Sequence, residues 1–290
     1  AFASTVFHAL PGGQYSFRAR GEDGAGNVGA WSETYYARIG SGELNVVEVI
    51  DRSGSMTGTK LTQAKQAARL FAELLNLGDR LGVIAFGSYA TTVFPLTTIA
   101  DTNGSAINQA RTAIAGISLS GTTAIGLGLQ AAGQQLAAAG PAKKAIILLT
   151  DGEENVSPTA QSVLDSGGVS ADTIVYTIGL GSGADAALLQ SIASQRRGQY
   201  YFSPAPGQLV QIYDQLATTV TGGQELVKSA GVLSQGQAAA TTFEVSGAET
   251  ELTARVTWPG SQFSLELVAP DGRVIRSDGT GAGSDVRVIS

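Results

Sequence analysis

Cysteine is absent from the 290 residues. That removes disulfides, thiolate metal sites and cysteine nucleophiles together. It suits the cytosol or the outside of a bacterium better than a secreted animal protein, where disulfides are common. Histidine is almost absent, since His8 is the single one. A histidine zinc site or a Ser-His-Asp triad would have to use it. It stands near the N-terminus, away from every polar cluster, and reads as structural or solvent-exposed. Charge is scarce as well: Asp, Glu, Lys and Arg make up 14% of the chain, against about a quarter in ordinary globular proteins. The net charge of −6, without any run of Lys and Arg, argues against nucleic acid or anionic membranes as partners, because phosphate binding needs a basic face. The longest apolar runs, such as 145–149, fall far short of the ~20 residues that span a bilayer as a helix. No insertion into a membrane is expected of this chain. Neither an initiator Met nor a basic-then-apolar signal stretch opens it, so it reads as a piece of a longer protein.

Apolar residues make up 43% of the chain, enough to bury a sizeable core. Three segments differ in pattern. Residues 1–40 read as β structure: Gln14 to Arg20 alternates polar and apolar residues, residues 22–27 form a turn cluster, and Trp31 to Ala37 is a second strand. A hairpin alone is marginal in water, so this segment should dock on something or be part of a cut domain. A short Gly/Ser linker follows at Ile39 to Glu43.

The segment 44–222 alternates strands and helices. Leu44 to Ile50 is a near-continuous apolar run, as in a buried parallel strand. Helices are predicted over 59–77, 107–117, 125–138, 159–166, 186–194 and 209–220. Strands are predicted over 80–86, 92–96, 145–150, 173–178 and 199–202. Such alternation predicts an α/β fold: a doubly wound, mostly parallel sheet with helices on both faces. Residues 225–290 change character again. Alternating strands around Thr241–Val245, Leu252–Trp258 and Phe263–Val268 are separated by Gly-rich and Pro-Asp-Gly turns, a β-sandwich pattern that stops at Ser290 and reads as truncated.

Asp51, Ser53 and Ser55 stand at alternate positions directly after the first buried strand. In open α/β sheets, ligands bind at the carboxyl ends of strands. An Asp and two hydroxyls on one side of a tight loop are oxygen donors suited to hard cations. Thr150-Asp151-Gly152-Glu153 follows another buried strand, and Ser120-Gly121-Thr122-Thr123 opens a helix. Three loops would thus offer two carboxylates and three hydroxyls. Taken singly, Asp51, Ser53 and Ser55 could be a plain helix N-cap and turn. Likewise Asp151 to Glu154 could be an acidic turn favoured by a helix dipole. Gly126-Leu127-Gly128 and Gly179-Leu180-Gly181 do not complete a dinucleotide-binding spacing and are better read as packing or turn glycines. Met56 and Arg52 stand beside the site, as ligand contacts or solvent-facing residues, and Trp31 and Trp258 read as core anchors.

Asp-x-Ser-x-Ser, then a Gly-x-Thr-x-Ile helix opening, then Thr-Asp-Gly-Glu occur here in order. With them the segment 44–222 resembles a von Willebrand factor type A domain carrying a metal-ion-dependent adhesion site. Within that family the Ser-Gly-Ser-Met loop, Thr-Asp-Gly-Glu-Glu-Asn and the later Val-Thr-Trp-Pro and Ala-Pro-Asp-Gly-Arg-Val-Ile are similar to the calcium-activated chloride channel regulator group and its bacterial relatives. That group carries an upstream zinc protease region. This chain has no His-Glu-x-x-His, so that activity does not carry over. The N-terminal strand with Tyr15, Phe17 and Ala19, the turn with Asp23, Gly26 and Asn27, and Trp31-Ser32 resemble the end of a fibronectin type III domain.

The resemblance implies that Ser53 and Ser55 coordinate a divalent cation directly, and that Asp51 and Asp151 hold it largely through waters. Mg2+ is the expected ion, with Ca2+ or Mn2+ as alternatives. The loop threonine is Thr123 when aligned on Ile125 and Gly128, with Thr122 as the fallback and Glu153 as a neighbour. The open coordination position would accept an acidic residue from a protein partner. The function so implied is cation-dependent adhesion by an extracellular or cell-surface protein of a bacterium, and not catalysis. The alternatives are a metal-dependent hydrolase or a structural spacer in a multidomain protein.

Overall fold

A computed structural model of the chain describes residues 2–7, 14–21, 34–39, 44–76, 78–100, 105–140, 142–221, 224–229, 239–244, 252–257, 263–268, 272–276 and 286–289. His8, Trp31, Trp258, the turn 22–27 and the linker residues 40–43 lie outside them. The chain forms two compact units, one from residues 42–220 and one from residues 1–41 with 221–290.

The second unit begins with strands β1 (Phe2–Phe7), β2 (Gln14–Gly21) and β3 (Thr34–Ile39). The first unit holds strands β4 (Leu44–Asp51), β5 (Arg80–Phe86), β6 (Ala90–Thr98), β7 (Lys143–Thr150), β8 (Ile174–Leu180) and β9 (Tyr200–Ser203). Its helices are α1 (Lys60–Glu73), α2 (Ser105–Ala115), α3 (Ile125–Ala137), α4 (Ala160–Asp165), α5 (Ala186–Gln195) and α6 (Leu209–Thr221). The second unit resumes with β10 (Gln224–Ser229), β11 (Ala239–Glu244), β12 (Leu252–Thr257), β13 (Phe263–Val268), β14 (Val274–Arg276) and β15 (Val286–Ile289).

The six strands of the first unit lie in the order β6-β5-β4-β7-β8-β9. All pair in parallel except β6, which runs antiparallel to β5. Alternation sorts the side chains. Val46 and Ile50 of β4, with Ala145, Ile147 and Leu149 of β7, pack against α1, α2 and α6. Val47 and Val49, with Ile146 and Leu148, pack against α3, α4 and α5. Both faces of the central strands are therefore covered, which is why these strands read as apolar runs rather than alternating ones. Each such Val, Leu or Ile contributes roughly 1.5–3 kcal/mol when fully buried.

Glycines set how closely α3 approaches its neighbours. A Cβ on Gly126 would stand 2.0 Å from the Pro158 carbonyl oxygen, and one on Gly133 1.9 Å from that of Gly168. Gly128 faces Val49 and Phe86, where a Cβ would meet them at 2.8 and 3.0 Å. These are packing glycines. Met56 is fully buried in the core. It neither meets solvent nor presents itself to a ligand, because the short 3-10 turn Gly54–Met56 folds it inward.

In the second unit the two ends of the chain share sheets. β10-β3-β12-β1-β15 form one and β11-β2-β13-β14 the other. Every pairing is antiparallel. Strands from residues 1–40 and from 225–290 are hydrogen-bonded neighbours, as in β1 against β12, where Phe2 faces Thr257 and Phe7 faces Leu252. Leu267 and Ile275, opposite each other on β13 and β14, are both buried.

Candidate cation site at the switch point of the sheet

The chain order reverses between β4 and β7, the two central neighbours. After β4 the chain passes into α1 on one face, and after β7 into α4 on the other. The loops therefore diverge and leave a crevice above the strand ends, where open α/β sheets bind ligands. Asp51 is the last residue of β4, and Asp151 follows the last residue of β7.

Asp51 is fully buried and its carboxylate is held at both oxygens. Oδ1 accepts the backbone N–H of Ser53 at 2.7 Å, and Oδ2 accepts the Thr150 hydroxyl at 2.6 Å. The first bond closes the turn that aims Ser53 back over the sheet. The Ser53 and Ser55 hydroxyls lie 2.9 Å apart, and Ser55 Oγ donates to Asp151 Oδ1 at 2.6 Å. Asp151 and Ser53 are each only 2% exposed.

The third loop closes over the first. Gly54 N–H donates to the Gly121 carbonyl at 3.0 Å, and Ser120 N–H to the Arg52 carbonyl at 2.7 Å. Gly121 has φ +75°, a conformation side chains rarely adopt, and a Cβ there would lie 2.2 Å from Ser88 Oγ. The two candidate threonines part company. Thr122 turns outward, its hydroxyl 3.0 Å from that of Ser88. Thr123 is buried, and the space above Gly152 is flanked by Thr123 Oγ1 on one side and Ser55 Oγ on the other, at 3.5 and 3.6 Å from a Cβ built there. The structure thus brings Asp51, Ser53, Ser55, Thr123 and Asp151 together and leaves Thr122 outside. Glu153 is exposed. Arg52 reaches sideways, donating to Thr91 Oγ1 at 3.2 Å.

Burial pushes the Asp51 carboxyl above the usual carboxylate range, and the neighbouring Asp151 charge adds to the rise, while the bonds from Thr150 and Ser53 pull it down. A cation among these oxygens would favour the ionised form. The donors are all oxygen, two carboxylates and three hydroxyls, which fits a hard divalent cation and suits a soft one poorly. Among the described residues no three of His, Cys, Asp and Glu cluster as metal ligands, so any cation held here depends on the hydroxyls.

Several residues that the motifs did not single out as functional support this arrangement. Thr150 anchors Asp51 across the two central strands. Asn155 Oδ1 accepts the Thr123 N–H at 2.9 Å. Glu154 reads in the sequence as an acidic lead-in to one helix, and it caps two: Oε1 accepts from Gly126 N–H at the start of α3 and from Ala160 N–H at the start of α4, both at 2.8 Å. Burial raises its carboxyl and these two bonds lower it. The Lys60 ammonium sits on Asp151 Oδ2. No spacing rule pointed to it, because its partner is 91 residues away.

The class of protein is set by these features: an open, mostly parallel sheet with an oxygen-lined crevice at its switch point. Residues 45–215, more than half of the chain, match the von Willebrand factor type A domain model, and the chain belongs to that family. It is 36% identical over 177 residues to uncharacterized protein sll0103 of Synechocystis, a match covering 60% of this chain and 40% of that protein. It is 31% identical over 173 residues to calcium-activated chloride channel regulator 1 of Bos taurus, covering 58% and 18% respectively. The chain thus spans less than half the length of either relative. A solved von Willebrand factor type A structure from Catenulispora acidiphila superposes with a TM-score of 0.57 at 20% identity, over 90% of this chain and 70% of that one. Proximal thread matrix protein 1 from the mussel byssus, solved with a zinc-occupied MIDAS motif, gives 0.53 at 22% identity over 71% and 50%. At these identities the two structures speak for the fold. Among the described residues no helix is long and apolar enough to cross a membrane.

Proposed function

We propose that this chain is a divalent-cation-dependent protein-binding module of an extracellular or cell-surface bacterial protein. Asp51, Ser53, Ser55, Thr123 and Asp151 would hold the cation. The observation that carries the reading is the convergence of these oxygens, from three separate loops, at the switch point of the sheet. Mg2+ is the ion proposed, with Ca2+ or Mn2+ as alternatives; the zinc in the mussel protein is a precedent within the fold. When bound, the cation supplies a Lewis-acidic position that takes a carboxylate oxygen from a partner.

The residues of this chain explain why the partner's group would be acidic. Three of the donors are neutral hydroxyls, which leave most of a cation's charge uncompensated. The Asp51 carboxylate is already engaged by Thr150 and Ser53. It serves the site by orienting Ser53 as much as by its charge. The groups around the crevice are bound to one another in a fixed frame rather than poised to move protons, which favours a binding role over a hydrolytic one.

The test is Mn2+ binding, followed by calorimetry and by the electron paramagnetic resonance signal of the free ion. The wild-type chain should bind one equivalent. Asp51→Ala should lose binding while keeping the circular dichroism spectrum. A wild-type chain that binds no Mn2+, Mg2+ or Ca2+ at millimolar concentration sinks the proposal.

A further inference from the structure

Lys60 is the first residue of α1, and no acidic residue occupies the first turn of that helix. A helix dipole opposes a cation at this end. The placement must be offset by contacts, and two are present. The ammonium donates to the Ser55 carbonyl at 3.2 Å and pairs with Asp151 Oδ2. The Lys60 side chain is 36% exposed, whereas that of Asp151 is fully buried. The lysine therefore reaches from solvent onto a carboxylate that water does not touch.

The two carboxylates of the site differ in this respect. Asp51 is held by neutral donors, the Thr150 hydroxyl and the Ser53 N–H. Asp151 gives Oδ1 to the Ser55 hydroxyl and Oδ2 to an ammonium. A positive partner stabilises a buried carboxylate in low dielectric more strongly than a neutral donor does. Lys60 supplies one from within the chain. A divalent cation entering the crevice would supply another, and two positive charges would then press on one carboxylate. The four-carbon stem of lysine lets its ammonium withdraw to solvent. A guanidinium or a buried residue could not yield the place so easily.

We propose that Lys60 is a tethered counter-cation that competes with the divalent cation for Asp151, and so sets the metal concentration at which the site loads. The inference rests on the cation-binding reading above. It adds a residue outside the ligand set that weakens metal binding while stabilising the metal-free protein.

The experiment measures Mn2+ affinity by calorimetry for the wild-type chain, Lys60→Met, Lys60→Gln and Lys60→Arg at one ionic strength. Removing a like charge a few ångströms from the ion should tighten binding by about tenfold or more in the Met and Gln variants. The Arg variant, which keeps the charge and yields its place less easily, should bind Mn2+ no more tightly than wild type. The metal-free Met and Gln variants should melt below wild type, and Mn2+ should raise their Tm by more. Gln also keeps a donor for the Ser55 carbonyl, which guards against a variant that fails to fold. Neutral variants binding Mn2+ no more tightly than wild type overturn the competition and leave the cation site standing. If neither wild type nor the neutral variants bind Mn2+, the cation reading falls and this inference with it.

Discussion

Thr123 and Asn155 are tied by two backbone-directed hydrogen bonds. The Thr123 N–H donates to Asn155 Oδ1 at 2.9 Å, and the Asn155 N–H donates to the Thr123 carbonyl at 3.1 Å. The loop after β7 thereby carries Asp151 at its start and fixes Thr123 four residues later. A displacement of one loop is passed to the other, so the two donors keep their spacing.

Asn155→Ala removes the side-chain half of this tie and none of the proposed ligands. Residues that orient a metal's ligands are typically worth 10- to 100-fold in affinity. We expect Mn2+ affinity to fall about tenfold, with the fold intact by circular dichroism. Asn155→Asp restores an acceptor for the Thr123 N–H and should recover most of the loss. An alanine variant with unchanged affinity would show that Thr123 does not depend on this anchor.

Glu154 performs a related task for the scaffold. By accepting from Gly126 N–H and Ala160 N–H it satisfies orphan donors at the starts of α3 and α4. An N-cap acceptor replaced by alanine costs about 0.5–2 kcal/mol. Because one side chain serves two helices, Glu154→Ala should lose about 2 kcal/mol or more in urea unfolding. Glu154→Gln keeps the one oxygen that accepts both bonds, sets an amide NH2 against the Ala160 N–H where the second oxygen stood, and should lose less than the alanine variant. Equal losses in the two variants would mean that charge, rather than hydrogen bonding, is what the site uses.

The contrast between Glu154 and Asp151 shows which parts were legible in the sequence. The strands and helices of 44–222 could be read because buried parallel strands and amphipathic helices each leave a local periodic mark. The site could be read because Asp51, Ser53 and Ser55, and likewise Asp151, stand at strand ends where the fold class places ligands. Lys60, Thr150, Asn155 and Glu154 each reach one partner that lies 28 to 99 residues away. No local pattern records such pairs. Met56 misled for the same reason, since the turn that buries it is set by contacts with the loop holding Gly121. The pairing of β1 with β12 and of β2 with β13 joins strands about 250 residues apart in chain order, and alternation within a strand says nothing of which strand it meets.

Glu48 is the one charged residue on the central stretch of β4, and it points to the face covered by α1 and α6. Among the described residues, neither of its buried carboxylate oxygens has a hydrogen-bond partner, and nor does the buried Tyr213 hydroxyl on α6. Burial drives the Glu48 carboxyl well above its ordinary value. It also drives the Tyr213 phenol up, with the Glu48 charge adding to the rise. Glu48 is therefore protonated in the folded protein over a range where the unfolded chain, with a carboxyl near pKa ~4.3, is ionised. Over that range the folded state binds more protons than the unfolded one, so this group's contribution to stability falls as pH rises. Glu48→Gln keeps the shape and removes the titration. The variant should match wild type near pH 4 and exceed it at pH 7, by a margin that widens as pH rises through the range where only the unfolded chain is ionised. Urea unfolding at a series of pH values measures the difference. Parallel curves for the two proteins would show that Glu48 ionises as readily in the core as in the unfolded chain.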